Sequence, residues 1–252
     1  MAWTPPFPDF PTPPSVGLST KAVKSRMSMS DQPSPPESKP DKSTLRCVFC
    51  GVQACREESP ASLPGNCPAQ VSPGIVADSA RAYDDPALRN IAQAAARTES
   101  AGYCRWTRLE EIMEFAKRAG FGRLGIAFCV GLSEEARAIQ KVFEENGFEV
   151  ASVACKTGSH PKEQLGLADA EKVRPGGFEP MCNPAGHAML LNAARTDLNV
   201  LVGLCVGHDS SFIKFSEAPV TVAVVKDRVL GHNPVAAIHS RYFRQRLKEH
   251  HR

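Results

Sequence analysis

Thr107 to Leu132 reads TRLEEIMEFAKRAGFGRLGIAFCVGL, and a change of period inside it decides the fold. Thr107-Arg108-Leu109-Glu110 has the form of a capping box, and Ile112, Phe115, Ala116 and Ala119 recur at helical spacing. Gly120 stands where helices end in a left-handed cap. Arg123 to Cys129 (RLGIAFC) is then a short, continuously apolar run of strand type. Helix followed by buried strand is the unit from which an α/β domain is built.

Downstream the alternation continues. Ser133 to Asn146 reads as a helix that Gly147 stops, and Phe148 to Cys155 as a second strand. Asn183-Pro184 supplies an N-cap and a proline at the first helical position, opening a helix to about Arg195. Asn199 to Cys205 is a third strand, Asp209 caps a short helix through Phe215, and Val220 to Lys226 is a fourth strand. Asn233-Pro234 repeats the cap-and-proline start and opens the last helix. Strands that are apolar throughout and alternate with helices imply a mostly parallel sheet with helices on both faces, a Rossmann-like three-layer α/β domain. Upstream, Ala80, Leu88, Ile91 and Ala95 suggest one or two helices between Asp78 and Ser100. The α/β domain is expected over residues 73–252.

Three of the strands end alike: Cys129-Val130-Gly131, Cys155-Lys156-Thr157-Gly158 and Cys205-Val206-Gly207-His208-Asp209. In a parallel α/β sheet such ends share one edge, and ligands bind in the crevice beyond it. Cys182 stands just before the helix opened by Asn183-Pro184, where free N–H groups and the helix dipole favour a thiolate. The fourth strand adds Lys226, Asp227 and Arg228, and His232 follows. Cysteine, lysine, histidine and arginine therefore converge on one rim if the strands are neighbours. The competing reading is a set of small core residues, since a cysteine after an apolar run commonly packs. On the functional reading, Cys182 or Cys205 is nucleophile or ligand, His208 moves protons, and Lys156 serves catalysis. Cys129, Cys155, Lys226 and Arg228 then line a ligand site suited to a small anion. His239, His250 and His251 read as surface residues, and Cys104, beside Tyr103 and Trp106, as packing.

Before the α/β pattern, Cys47, Cys50, Cys55 and Cys67 fall within 21 residues at spacing C-x2-C-x4-C-x11-C. No histidine lies among them. Four thiolates this close suit a tetrahedral metal ion or an iron–sulfur cluster; two small disulfides or buried thiols are the alternative. Structural zinc usually takes two C-x2-C knuckles and only one is present, while Cys67-Pro68 resembles the last ligand of many cluster segments, so the balance leans slightly to iron–sulfur. This metal-binding module is expected over residues 45–72.

Residues 1–44 form a Pro/Ser-rich leader: ten of the 21 prolines lie before Cys47, and no hydrophobic period is present. Such a segment cannot bury enough surface to offset its chain entropy and is expected to be disordered. Lys21, Lys24 and Arg26 without an acid faintly resemble a transit peptide; a low-complexity leader or an over-extended start, with Met27 or Met29 as initiator, is the preferred reading. Over 252 residues the net charge is +3. The pI is near 8.4, too mild to imply a nucleic-acid partner. No apolar run approaches the ~18–20 residues that span a bilayer, so a soluble protein without a membrane partner is expected. Nine cysteines, an odd count, without a secretory signal favour a reducing, cytoplasmic setting. There is no serine-hydrolase elbow, P-loop or G-x-G-x-x-G.

The stretches CVFCGVQACR, NCP, TRLEEIMEFAKRAGFGRLGIAFCVGL, CNPAGHAMLLNAARTDLNVLVGLCVGHDSSFIKFSEAPVTV and VKDRVLGHNP are long and distinctive. Through them the chain resembles, from roughly Arg46 to Leu247, the bacterial and archaeal cysteine-rich family known as domain of unknown function 1847. The resemblance implies metal binding through Cys47, Cys50, Cys55 and Cys67, and the long leader departs from the family's compact form. Together these readings predict a metal-binding protein, holding zinc or an iron–sulfur cluster, with a thiol or redox site or a second metal at the sheet edge. A non-enzymatic metal carrier or sensor, or a scaffold with structural zinc, is the alternative.

Overall fold

The computed structural model describes residues 45–57 and 63–249. The expected leader over 1–44, residues 58–62 of the expected metal module, and His250 and His251 lie outside them. The chain divides between Val76 and Ala77 into two units.

In the first unit Cys47–Phe49 and Ala54–Arg56 are single 3-10 turns, and α1 (Pro68–Val71) starts directly after Cys67. Pro68 takes the first helical position, where a missing N–H costs nothing. The unit's last residues open α2 (Pro73–Arg81).

The second unit carries the α/β alternation. Asp85 accepts from the Leu88 N–H at 2.8 Å and starts α3 (Pro86–Gly102), which packs on α4 (Arg108–Ala119). The Glu110 carboxylate takes both the Thr107 N–H (2.6 Å) and its hydroxyl (2.7 Å), which holds Glu110 below its usual pKa and fixes the start of α4. Gly120 ends the helix at φ 77°; Ile112, Ala116 and Ala119 are buried as the spacing predicts, Met113 is buried with them, and Phe115 is half-buried against the core. Then follow β1 (Arg123–Phe128), α5 (Ser133–Glu145), β2 (Glu149–Ala154), α6 (Pro184–Ala193), β3 (Leu198–Val202), α7 (His208–Phe215) and β4 (Val220–Val224).

All strand pairs are parallel and the order is β2-β1-β3-β4. Right-handed crossovers that step first one way and then the other put α5 on one face of the sheet and α6 and α7 on the opposite face. The packing of α6 on α7 agrees with this. β3 is buried along its whole length, and with Leu124 and Ile126 of β1 it forms the centre of the core. Each such side chain contributes about 1.5–3 kcal/mol by leaving water.

The amino end of the sheet is fastened by polar groups. Asn199, fully buried, accepts from the Thr196 hydroxyl and donates to the Ser216 hydroxyl, both at 2.8 Å, so its burial is compensated. The Asp197 carboxylate takes the Gly122 and Arg123 N–H groups at 2.9 and 2.8 Å and fixes the start of β1.

Several boundaries differ from the sequence reading: β1, β2 and β4 end at Phe128, Ala154 and Val224, one or two residues early, and three further differences have a plain cause. β3 stops at Val202 because Gly203 turns to φ 63°, leaving Cys205 on a loop. Gly207, at φ 83°, precedes α7, and Asp209 lies inside it, its carboxylate accepting from the Ser210 N–H. The single last helix is two, α8 (Ala236–His239) and α9 (Arg241–Glu249), because Ser240 is extended and its hydroxyl restarts the chain by accepting from Phe243 N–H.

Candidate active site at the carboxyl edge of the sheet

The order β2-β1-β3-β4 reverses direction between β1 and β3, and ligands of doubly wound sheets bind beyond the strand ends at that point. Cys129 follows β1 and its N–H donates to the Val202 carbonyl at 3.1 Å; Cys155 follows β2 and donates to the Phe128 carbonyl at 2.9 Å. Both residues are buried. Cys205 comes three residues after β3, beyond Gly203, where a Cβ would stand 1.9 Å from Leu132 Cδ1. Only glycine fits there.

Cys182 arrives from a long loop. The Asn183 N–H donates to the Cys155 carbonyl at 2.9 Å and sets Cys182 beside Cys155 at the mouth of α6. The Asn183 side chain in turn accepts from Gly186 N–H and caps that helix. The loop is held by main-chain bonds, such as Met181 N–H to the His160 carbonyl, and by ion pairs. Lys172, its side chain 4 % exposed, bridges Glu163 at 2.5 Å and Asp169 at 2.9 Å, and Lys162 pairs with Glu179. Lys156 donates its ammonium to the Pro180 carbonyl.

The electrostatics of the sulfurs then follow. The Cys155 thiol hydrogen-bonds the Cys182 sulfur, and that bond together with burial pushes Cys155 far above the ordinary thiol range. The Val130 N–H, 3.4 Å from Cys155 Sγ, opposes this more weakly. Cys182 is driven well below that range, first by the Cys155 thiol and then by a hydrogen bond from His208, with the charges of His208 and Lys156 adding. Of the pair, Cys182 is the more acidic sulfur and Cys155 the one that keeps its proton longer. The N-terminal end of α6 favours negative charge on Cys182 further.

The remaining cations face the other two cysteines. Arg228 Nη2 lies 2.8 Å from Cys205 Sγ, and that contact raises the guanidinium further above its normal value. Lys226 Nζ and Cys129 Sγ both border Gly131, at 3.6 and 3.9 Å from where its Cβ would be. Asp227 and His232 brace the loop that carries Arg228: Asp227 Oδ1 accepts from Val229 and Leu230 N–H, and Asp227 N–H donates to His232 Nδ1 at 3.2 Å. Of the rim residues named from the sequence, Cys155, His208 and Lys156 act on Cys182, Arg228 lies against Cys205 and also feels Cys129 and Cys182, and Cys129 and Lys226 border Gly131.

Two features escaped the sequence reading. His187, in the second turn of α6, is fully buried, and neither ring nitrogen has a hydrogen-bond partner. It packs edge-on against Phe212 with centroids 6.4 Å apart, and burial lowers its pKa. Its helix, PAGHAMLLNA, is apolar almost all round, so no periodicity singles it out. Cys104 is a correction: it is exposed, not packed, because its backbone is left-handed (φ 55°) in the turn after α3.

The four-cysteine segment is a different kind of site. The Cys50 N–H donates to the Cys47 carbonyl at 3.0 Å, closing a turn, and the Gln53 N–H approaches Cys50 Sγ at 3.4 Å. Cys47 and Cys55 are exposed, and Cys50 and Cys67 are partly buried. Four soft thiols with an N–H aimed at one sulfur are a donor set that fits zinc or an iron–sulfur cluster. Among the described residues no three of His, Cys, Asp and Glu are gathered closely enough to hold a metal ion, here or at the sheet edge. No helix among them is long and apolar enough to cross a membrane.

Comparison with known proteins gives two matches. The model of a family described as "Protein of unknown function (DUF1847)" matches residues 67–223, a narrower span than the resemblance read from the sequence. It includes Cys67 and all four edge cysteines and begins after Cys55. The uncharacterized protein MJ0455 of Methanocaldococcus jannaschii is 38% identical over 205 residues, which cover 81% of this chain and 99% of that protein. No solved structure matches.

Proposed function

The chain belongs to the DUF1847 family, and we propose that it is a thiol-dependent metalloprotein whose reaction centre lies at the carboxyl edge of the sheet. The observation that carries this reading is that the Asn183 N–H bond to the Cys155 carbonyl sets Cys182 beside Cys155, with His208 acting on its sulfur, at the point where the strand order reverses. A thiolate held ready beside a histidine is the arrangement a nucleophilic cysteine needs. Cys182 attacks the electrophilic atom of the substrate, and His208 gives its proton to the leaving group. Lys156, Lys226 and Arg228, with the end of α6, make the crevice suited to a small anionic ligand. Cys205, beside Arg228, and Cys129 complete its wall. Cys47, Cys50, Cys55 and Cys67 hold the metal, zinc or an iron–sulfur cluster, and fasten their own unit.

Timed alkylation with iodoacetamide at pH 6, followed by peptide mass mapping, tests the edge. A thiol with an ordinary pKa of about 8.5 is only ~0.3% ionised there. Cys182 is expected to label there at close to its pH 8 rate, whereas an ordinary thiol has by then lost nearly all of its thiolate. A Cys182 that stays unlabelled until the chain unfolds overturns the proposal. Metal content with a visible spectrum of anaerobically purified protein tests the other half: brown colour assigns a cluster, colourless protein with stoichiometric zinc assigns zinc, and neither removes the metal.

A further inference from the structure

We infer that Cys155 and Cys182 are a redox couple that reduces small anionic disulfides, with Cys182 as attacking and Cys155 as resolving cysteine. The inference rests on the proposed thiol centre and goes beyond it by naming the partner sulfur and the substrate class. Four observations converge. The Asn183 N–H to Cys155 carbonyl bond sets the two residues side by side. Among the four edge cysteines, Cys155 is the one whose thiol acts most strongly on the Cys182 sulfur, whereas Cys205 Sγ lies 2.8 Å from Arg228 and Cys129 Sγ borders Gly131. Cys155 is 3% exposed, so an external disulfide meets Cys182, which is partly open, and not its partner. Lys156, Lys226 and Arg228 supply the charge that selects anionic substituents.

The exchange balances as follows. The Cys182 thiolate attacks one sulfur of R–S–S–R′; the bond to R′S breaks, and R′S⁻ takes the His208 proton. A mixed disulfide Cys182–S–S–R remains. Cys182 now carries no negative charge, so the chief influence that kept the Cys155 proton in place is gone. Cys155 passes that proton to His208, its sulfur attacks Cys182 Sγ, and RS⁻ leaves to be protonated by water. Two electrons have moved from the dithiol to the substrate, which departs as RSH and R′SH, and the protein holds a Cys155–Cys182 disulfide. The second sulfur is armed by the first step, and a buried cysteine gains nucleophilicity only when its substrate is already bound.

Glutathione disulfide, a small anionic disulfide, is the probe, added to the reduced full-length chain and followed by mass mapping of quenched peptides. Wild type is expected to give a Cys155–Cys182 cross-link with little glutathione on Cys182. Cys155→Ala and Cys155→Ser, each checked for an unchanged circular dichroism spectrum and melting curve, are expected to accumulate the Cys182 adduct with a lifetime at least tenfold longer. Cys182→Ser should take up no glutathione at the edge. Cystamine, of opposite charge, should react several-fold more slowly, and an equal or faster rate overturns the substrate class. If Cys182 alkylates rapidly but wild type and Cys155→Ala accumulate the same adduct, or if the cross-link runs to Cys129 or Cys205, the couple is wrong and the thiol centre stands. If Cys182 reacts with neither iodoacetamide nor glutathione disulfide, both fall.

Discussion

In the first unit four cysteines lie close together in the chain, two of them exposed, and the Gln53 N–H approaches Cys50 Sγ at 3.4 Å. At the sheet edge four cysteines come from widely separated stretches: Cys182 meets His208 and the Cys155 thiol, Cys205 Sγ lies 2.8 Å from Arg228, and Cys129 Sγ and Lys226 Nζ both border Gly131. The difference teaches where chemistry is stored. A set that is local in sequence carries its chemistry in spacing and donor type, and it can be completed by a metal. A set assembled by folding carries its chemistry in its neighbours, which adjust one thiol against another before any ligand arrives.

The comparison is most severely tested by separating the two sets. Cys50→Ser is expected to release the metal and to cost the first unit several kcal/mol of local stability, because metal binding and folding are coupled in such modules. Metal analysis and hydrogen exchange read this, and the Cys182 alkylation rate should stay unchanged; a parallel fall would show the two sets to be one system. Next in size is Gly203→Ala. Its Cβ would meet Leu132 at 1.9 Å in a left-handed backbone, and we expect a loss of about 2–4 kcal/mol in urea unfolding with Cys205 displaced from Arg228. A loss under about 1 kcal/mol would mean the loop after β3 yields easily.

The pH dependence of Cys182 labelling is a smaller and sharper test. Its thiol is shifted downward, so the reactive thiolate persists as pH falls and is lost only when pH passes through that lowered value. The rate should be nearly flat from pH 8 to pH 6, where an ordinary thiol falls about tenfold per unit. His208→Gln removes one of the two hydrogen bonds and should move the fall toward neutral pH. Smallest is Arg228→Gln: the side chain is exposed, and losing its contact with Cys205 Sγ at 2.8 Å should change Cys205 labelling by severalfold at most and leave Cys182 almost untouched.

Much of the frame could be read from the residues because its signals are local. The continuous apolar runs of β1 and β3, the Thr107–Glu110 capping pair and the Asn183 cap before Pro184 each act within a few positions of themselves. Ends were less legible. The apolar run predicts β3 through Cys205 because Gly203 and Leu204 look like strand until the left-handed glycine turns the chain, and Asn233-Pro234 gives no warning of the extended Ser240. The rim could be anticipated as a group, since parallel strands bring their ends to one edge. Its internal pairing could not. That Cys155 meets Cys182, with Lys156 tied to Pro180, depends on how a long loop is held by Lys172 and Lys162, and nothing in its spacing specifies that path. His187 was hidden for the opposite reason: in an evenly apolar helix a single histidine makes no pattern.

Arg108, in the first turn of α4, donates to the Val222 carbonyl at 3.2 Å and to the Thr221 hydroxyl at 2.8 Å on β4, a border strand of the sheet. A border strand offers unpaired main-chain groups on which a foreign strand can grow. Here a guanidinium already occupies one acceptor and brings a charge that a flat apolar neighbour would have to strip of water. The consequence is colloidal: the side chain that fixes a helix to the sheet also makes that border a poor template for fibrillar stacking in a concentrated solution.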